Sequence, residues 1–181
     1  MNKIVTTLMV LAVYASLAQA DSAMPQAGEK FVNARTRLLA AGWRADPLSH
    51  ASSGEYMGLD RLLIQSGYLE VDYCSEGKSF CTLQYLKAGV CLRVQTQGEQ
   101  IPAMKVERWS NECRERRADE PAHLLPADVR YLAQWRSDCE NFGKCHGIDA
   151  YLRTVKKRYA RDPEVTKVLN AYATPIGQSG H

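Results

Sequence analysis

The sequence lacks the short motifs by which common enzyme classes are recognised. It contains no Gly-x-Ser-x-Gly nucleophile motif, no His-Glu-x-x-His zinc motif and no glycine-rich phosphate-binding loop. Histidine is scarce, and the four in the chain are His50, His123, His146 and His181. None of them has a nucleophile or carboxylate at a supporting spacing, so we assign no catalytic residue. A hydrolase would have to use the one polar cluster around a histidine, which consists of His50, Ser52, Ser53 and Glu55.

Long hydrophobic runs are absent after residue 20, because charged side chains interrupt every apolar stretch. A membrane-spanning helix needs about 20 predominantly apolar residues, so we expect a soluble protein that does not span a membrane. Strong net charge is absent too: the formal charge is +3, and the basic residues gather only in one late stretch, Lys156–Arg161. A nucleic-acid-binding protein would have a denser basic surface, and we predict no nucleic-acid partner.

The first twenty residues have the pattern of a secretory signal peptide. Lys3 gives a positive start, Ile4–Ala15 form a mostly apolar run, and Leu17–Ala20 supply the small-x-small pattern of a cleavage site. The apolar run is too short for a membrane anchor. We therefore expect cleavage near Ala20 and a periplasmic or secreted protein whose formal charge is +2 once Lys3 is removed.

All six cysteines follow this segment, and in an oxidising compartment an even number of them predicts three disulfides. Six cysteines allow 15 pairings, and only proximity favours a particular one, Cys139 with Cys145. The other four, Cys74, Cys81, Cys91 and Cys113, would then hold the central region together. Cys139-x5-Cys145-His146 has three residues more between its cysteines than the Cys-x-x-Cys-His motif of a haem attachment site. A zinc site would need a fourth ligand and reduced thiols, so we expect no cofactor and no metal.

Apolar spacing predicts two helices at the start of the mature chain. The first covers residues 27–41, with Gly42 at its end, and the second covers residues 55–65, burying Leu59, Leu62 and Leu63.

Alternation of apolar and polar residues then predicts a four-stranded antiparallel meander, with strands near residues 68–74, 80–86, 90–96 and 104–109. Pairing Tyr85 with Leu92 and Leu83 with Val94 places these four side chains on the core face. In the last strand Met104, Val106 and Arg108 should share one face, and Lys105, Glu107 and Trp109 the other.

The strand near residue 70 also raises the question of a paired-carboxylate site, because Glu70 and Asp72 lie two residues apart. Their alternation with Leu69, Val71 and Tyr73 favours a simpler interpretation, in which both carboxylates lie on the solvent face.

Three helical stretches complete the chain, at residues 128–139, 148–158 and 163–172, with Asp162 as the cap of the last. The fold class is therefore α+β: two N-terminal helices, the meander and a C-terminal helical segment, stabilised by disulfides. We divide the chain into a signal peptide (1–20), a helix-helix-sheet domain (21–120), a helical segment (121–174) and a flexible tail (175–181).

Two short motifs, Gly42-Trp43 after the first helix and Glu70-Val71-x-x-Cys74 in the first strand, resemble a pattern in small exported proteobacterial proteins of unknown activity. The order of helices and meander is also similar to that of beta-lactamase-inhibitor proteins and outer-membrane assembly lipoproteins. This second likeness concerns the fold alone.

These features favour an exported protein that binds another exported protein, inhibiting or neutralising a secreted or periplasmic enzyme or toxin as an inhibitor or immunity protein does. The candidate binding residues are Trp109, Arg108 and Tyr56, since exposed aromatic and arginine side chains dominate protein interfaces. One alternative is an accessory or assembly factor of an envelope or secretion machine that docks through the C-terminal helices. The other is an uncharacterised hydrolase.

Overall fold

The computed structural model describes residues 23–48, 56–75, 77, 79–113 and 125–173. Helix α1 (Phe31–Ala40), strand β1 (Arg44–Ala45) and helix α2 (Gly58–Gln65) come first. They are followed by the strands β2 (Val71–Cys74), β3 (Phe80–Lys87), β4 (Val90–Gln97) and β5 (Lys105–Ser110). Helices α3 (Ala127–Phe142), α4 (Ile148–Arg158) and α5 (Pro163–Ala171) complete the described part. No helix within these ranges has both the length and the apolar character needed to cross a bilayer.

The centre of the sheet is the β3–β4 hairpin, and its predicted register is confirmed. Tyr85 pairs with Leu92 and Leu83 with Val94, and all four side chains are fully buried. The turn between the strands is Ala88-Gly89, where both residues have positive φ. This conformation suits Gly89, and it closes the hairpin tightly enough to fix which face of each strand is buried.

The first edge of the sheet differs from a simple four-stranded meander. Two short strands share the free edge of β3: β1 pairs with Tyr85 and Leu86, whereas β2 pairs with residues 81–83. Between them, the Gln84 N–H donates to the Glu70 carbonyl at 2.8 Å, and the Gln84 carbonyl accepts from the Asp46 N–H at 2.9 Å. The sheet therefore has five strands, with the order β1-β3-β4-β5 and β2 beside β1 on the same edge.

Two register shifts overturn the predicted faces of the outer strands. In β5, Thr96 pairs with Val106 but Gln95 pairs with Arg108, so Glu107 is an extra residue that forms a bulge. The bulge inverts the alternation beyond it, because opposed residues of an antiparallel pair point to the same side. Trp109 therefore lies opposite core-facing Val94, and the prediction that Arg108 shares a face with Val106 is wrong.

The two N-terminal helices pack on the core face of the sheet. Helix α1 begins at Phe31, four residues later than predicted, because Lys30 is extended and pairs with Lys105. It buries Phe31, Ala34 and Leu38, as its spacing predicts. Helix α2 begins at Gly58 rather than residue 55, and it buries Leu63 and Ile64, whereas Leu62 is half exposed. The prediction that Leu62 is buried is wrong because apolar residues occupy three consecutive positions, 62–64, and only two of them can face the sheet.

The C-terminal helices form a second apolar cluster around Val129, Leu132, Val155, Val165 and Leu169. Helix α3 belongs to both clusters, because its Ala127 and Tyr131 side chains also lie in the main core. It extends to Phe142, three residues further than predicted, and Gly143 ends it with φ 68°. Helix α4 and the Asp162 cap of α5 are as predicted, and the Asp162 side chain accepts from the Val165 N–H at 3.0 Å.

Four aromatic rings join the two clusters. Tyr131 contacts Tyr56, Trp135 and Tyr151, with ring centroids 5.4–5.8 Å apart. The Trp135 indole N–H donates to the Lys144 carbonyl at 2.9 Å, which places this side chain between α3 and the start of α4. The packing links the helical segment to the sheet through α3.

Three disulfides account for all six cysteines. Cys139–Cys145 is the pair that proximity predicts, and the other bridges are Cys74–Cys81 and Cys91–Cys113. Cys74–Cys81 joins directly opposed residues of β2 and β3, whereas Cys91–Cys113 ties β4 to the chain beyond β5. Strand β2 and the chain that follows β5 are therefore covalently anchored to the central hairpin.

Candidate protein-binding face

The register gives the sheet one face toward the core and one away from it. On the face away from the core, two rows of paired residues lie side by side: Tyr73, Thr82, Gln95 and Arg108 form one row, and Phe80, Gln97 and Lys105 the other. Arg93 occupies the same face one row further along β4. We call six residues of this surface the outer patch: Tyr73, Phe80, Arg93, Gln95, Lys105 and Arg108.

The outer patch is basic, and its cations have no ion-pair partner among the described residues. No carboxylate within those ranges lies within 4.0 Å of Arg93, Lys105 or Arg108; the described ion pairs belong to other arginines. None of the residues that pair across strands on this face is acidic. The acidic residue nearest to these cations in sequence is Glu107, which lies in the bulge. The patch therefore presents positive charge that the described part of the chain does not neutralise.

Two contacts order the patch. The Arg93 guanidinium lies 5.9 Å from the centre of the Tyr73 ring, within cation–π range, and the Arg108 Nε donates to Gln95 Oε1 at 2.6 Å. Tyr73, Lys105 and Arg108 are exposed, and Arg93 and Gln95 are half-buried. The contacts hold both arginines in defined positions, which lowers the conformational entropy that binding would cost.

Burial increases toward the middle of this face. Thr82 and Gln84 are buried, and neither Gln84 Oε1 nor Arg93 Nε has a hydrogen-bond partner in the described part of the chain. An unsatisfied buried polar atom costs about 1–3 kcal/mol. Of these two atoms, only Arg93 Nε belongs to the outer patch.

The three predicted binding residues do not come together. Arg108 belongs to the outer patch, whereas the bulge places Trp109 on the opposite side of the sheet, where 39% of it is exposed. Tyr56 is 1% exposed and lies in the main core, so its ring is not part of a surface.

Tyr56 is instead held in a polar part of the interior. Its ring packs edge-on against Tyr131, and its backbone N–H donates to Gln134 Oε1 at 2.7 Å. Burial raises the pKa of the Tyr56 hydroxyl to about 12; the charge of Arg130 opposes this rise, and the charges of Asp60, Asp128 and Asp72 add to it. Tyr56 thus stabilises the contact between the segment before α2 and helix α3.

The prediction that Glu70 and Asp72 lie on the solvent face is wrong. Glu70 is 1% exposed and Asp72 is fully buried. Glu70 forms an ion pair with Arg35 from α1 and accepts a hydrogen bond from the Tyr85 hydroxyl at 3.2 Å. Asp72 accepts from the Leu48 N–H at 2.8 Å.

Glu70 precedes the first residue of β2, so the alternation of the strand does not fix its face. For Asp72 the local cause is a register shift within β2. The shift lies between Val71 and Tyr73, so Asp72 has no opposed residue on β3 and the alternation of faces is broken there. Tyr73, which the alternation placed on the core side, is exposed instead. Neither carboxylate lies at a surface where it could form a paired catalytic site.

The Arg35–Glu70–Tyr85 cluster is structural. Arg35 also donates to the Gly67 carbonyl at 2.8 Å, and its guanidinium stacks 4.4 Å from the centre of the Tyr68 ring. Burial alone would lower the pKa of Arg35, but the hydrogen bond and charge of Glu70 outweigh it and raise the pKa. Burial, reinforced by the Glu70 charge, raises the pKa of Tyr85 well above its ordinary value. The cluster keeps its charges in place and joins α1 to the sheet.

The other candidate chemical groups are dispersed or lie outside the described residues. The cluster of His50, Ser52, Ser53 and Glu55 is outside them, as are His123, His181 and the predicted signal peptide. Cys139 and Cys145 form a disulfide, and the neighbouring His146 is exposed. Across the described ranges, no three His, Cys, Asp or Glu side chains are grouped so that they could hold a metal ion.

Comparison with known proteins does not assign the chain to a family. No protein-family model, no curated protein and no solved structure matches it.

Sequence reasoning identified Arg108 but missed its neighbours in the outer patch. The sequence did contain a signal for Arg93 and Gln95, because both alternate with apolar or buried residues along β4. Tyr73 gave no such signal, because the register shift that exposes it depends on pairing with β3.

Proposed function

We propose that this chain is an exported binding protein that inhibits or neutralises a secreted or periplasmic enzyme or toxin, and that it binds through the outer patch. The observation that carries the proposal is a set of cations without described ion-pair partners, together with an exposed tyrosine, on one face of a disulfide-braced sheet. Tyrosine and arginine are enriched among the residues that dominate binding energy.

The rigidity of the sheet favours this role. Disulfides anchor β2 to β3 and the chain beyond β5 to β4, so the patch is largely preformed. A preformed surface loses little conformational entropy on association, which is the condition for tight binding by a small protein. The disulfides also agree with an oxidising compartment, where such bridges persist.

Charge reversal in the outer patch tests the proposal. The double variant Lys105→Glu/Arg108→Glu changes two exposed residues, and Arg153→Glu, at an exposed position on α4, serves as a control. Immobilised wild-type protein and the control should capture the same exported protein from a periplasmic extract, and the double variant should not. The purified partner should form a 1:1 complex and lose enzymatic or toxic activity in it.

Two results would contradict the proposal. If the double variant captures the partner as well as wild type does, the outer patch is not the binding surface. If the complex forms but leaves the partner fully active, the protein does not neutralise it.

A second candidate function is an accessory or assembly factor that docks through the C-terminal helices. One observation favours it: Phe142, at the end of α3, is 70% exposed, with the Lys144 ammonium 5.6 Å from the centre of its ring. For this function, Phe142→Ser should abolish capture of envelope-machine components, whereas the outer-patch variant should retain it. The reverse pattern would support the inhibitor.

A further inference from the structure

Described residues cover only the first half of the β5 edge that faces away from β4. Residues 28–31 run along its first half: the Val106 N–H donates to the Glu29 carbonyl at 2.9 Å, and the Val106 carbonyl accepts from the Gly28 N–H at 2.8 Å. The Phe31 N–H donates to the Met104 carbonyl at 2.9 Å. The chain turns at residues 27–28, where Gly28 has φ 83°, and no described residue before Gly28 forms a backbone hydrogen bond to β5.

The second half of the edge, residues 107–110, is open within the described structure. Both backbone groups of Val106 point away from β4, since they bond to residues 28 and 29. In a regular strand, Arg108 would be the next residue whose backbone N–H and carbonyl point away from β4. Because Glu107 is an extra residue in the bulge, that residue is Trp109 instead. Trp109 makes no backbone hydrogen bond to a described residue outside the sheet, and its side chain is partly exposed at the same place.

We propose that this open edge binds an extended segment of the partner protein, which adds to the sheet as a further strand beside residues 107–110. The inference rests on the proposed function, because it specifies how the binding protein holds its partner. The chain's own residues 28–31 already use the first half of the same edge in this way. Strand addition is a common mode of peptide recognition, in which main-chain hydrogen bonds supply affinity and alternate side chains supply specificity.

The side chains around the edge define the chemistry of the segment. Arg108 lies on the outer face, and its Nε is already held by Gln95, so the rest of the guanidinium is left for a carboxylate. Trp109 lies on the other face and offers apolar surface. Because successive residues of a strand point to opposite faces, the complementary segment alternates acidic and apolar residues.

A synthetic peptide tests strand addition even before the partner protein is identified. The probe is an eight-residue peptide of alternating glutamate and valine, with both ends blocked, titrated into the full protein. We expect saturable binding that slows hydrogen exchange of the Trp109 amide, followed by NMR, and that weakens as salt rises. Arg108→Glu should weaken binding by at least about tenfold, and the distant Arg153→Glu should leave it unchanged.

Two further peptides separate strand addition from simple charge attraction. With every backbone nitrogen methylated, the glutamate–valine peptide keeps its side chains but donates no main-chain hydrogen bond, and we expect at least about tenfold weaker binding. A lysine–valine peptide should not bind. Equal binding of the methylated peptide, or an unprotected Trp109 amide in the bound state, would overturn strand addition and leave the outer patch intact as a carboxylate-binding surface. If none of the peptides binds although the outer patch captures a partner, strand addition is wrong and the proposed function stands.

Discussion

Removing Arg35 should destabilise the protein far more than removing an arginine two residues away. Glu70 is the more deeply buried member of the ion pair with Arg35. In Arg35→Ala, the Glu70 carboxylate loses its charged partner, and among the described side chains only the Tyr85 hydroxyl still donates a hydrogen bond to it. Breaking a buried ion pair from one side costs about 3–5 kcal/mol, and we take the lower end, about 3 kcal/mol, because the Arg35 side chain is 23% exposed. With a urea m-value of about 2 kcal/mol/M, the unfolding midpoint should fall by about 1.5 M.

Arg37→Ala is the matched control on the same helix. Arg37 pairs with Glu29 at 2.7 Å, but the Arg37 side chain is 36% exposed, and surface pairs contribute at most about 1 kcal/mol. Urea unfolding followed by circular dichroism compares the two variants directly. If Arg35→Ala loses no more stability than Arg37→Ala, the assignment of the Arg35–Glu70–Tyr85 cluster as a structural support is refuted.

Three further predictions concern other parts of the fold. Burial raises the pKa of Tyr56 to about 12, so its hydroxyl should stay largely protonated at pH 11 in a titration followed by absorbance at 295 nm. Because the unfolded pKa is near 10, the free energy of unfolding should fall as pH rises above 10. Ionisation of every tyrosine by pH 11 in the folded protein would contradict this. Replacing both Cys139 and Cys145 with serine should lower the free energy of unfolding by about 2 kcal/mol, because the bridge closes a short loop, and an unchanged urea midpoint would count against it. Gly98 has φ 141°, and Gly98→Ala places a Cβ 2.9 Å from the Met104 Cα. Thermal unfolding should show that the free energy of unfolding falls by about 1–3 kcal/mol. An unchanged value would contradict this prediction and would mean that the connection between β4 and β5 adjusts to the added Cβ.

The elements that the sequence predicted well are those fixed by local patterns. The β3–β4 hairpin follows from strict alternation on both sides of Ala88-Gly89. Its register then determines which residues of each strand face the core. Helix α4 and the start of α5 follow from helical spacing and from the Asp162 cap. Whether the helical segment beyond residue 120 is a separate domain stays a prediction, although Ala127 and Tyr131 of α3 pack in the main core.

The elements that the sequence predicted poorly depend on partners far along the chain. The sequence around Glu70 gives no sign that Arg35 of α1 pairs with it. Its position next to an alternating strand therefore predicts, wrongly, that Glu70 is exposed to solvent. A bulge has no local signature here either, and a single extra residue, Glu107, exchanged the faces of Arg108 and Trp109. The two-residue strand β1 was missed because its pairing with β3 is tertiary and its length is below any periodic signal.

The same reasons explain what was found of the candidate site. Arg108 could be named from its place in a predicted strand, whereas the outer patch around it required the register of β2, β3 and β4. Burial of Tyr56 also depends on helix α3, since Tyr131 covers its ring.

Site-specific photo-cross-linking tests the central claim most directly. A photoreactive amino acid placed at Tyr73 in the outer patch, and separately at Arg153 on α4 as the control, would be activated in living cells that export the protein. The account predicts one discrete cross-linked species from position 73, containing an exported protein, and none from position 153. Cross-linking from position 153 alone, or the same products from both positions, would contradict it.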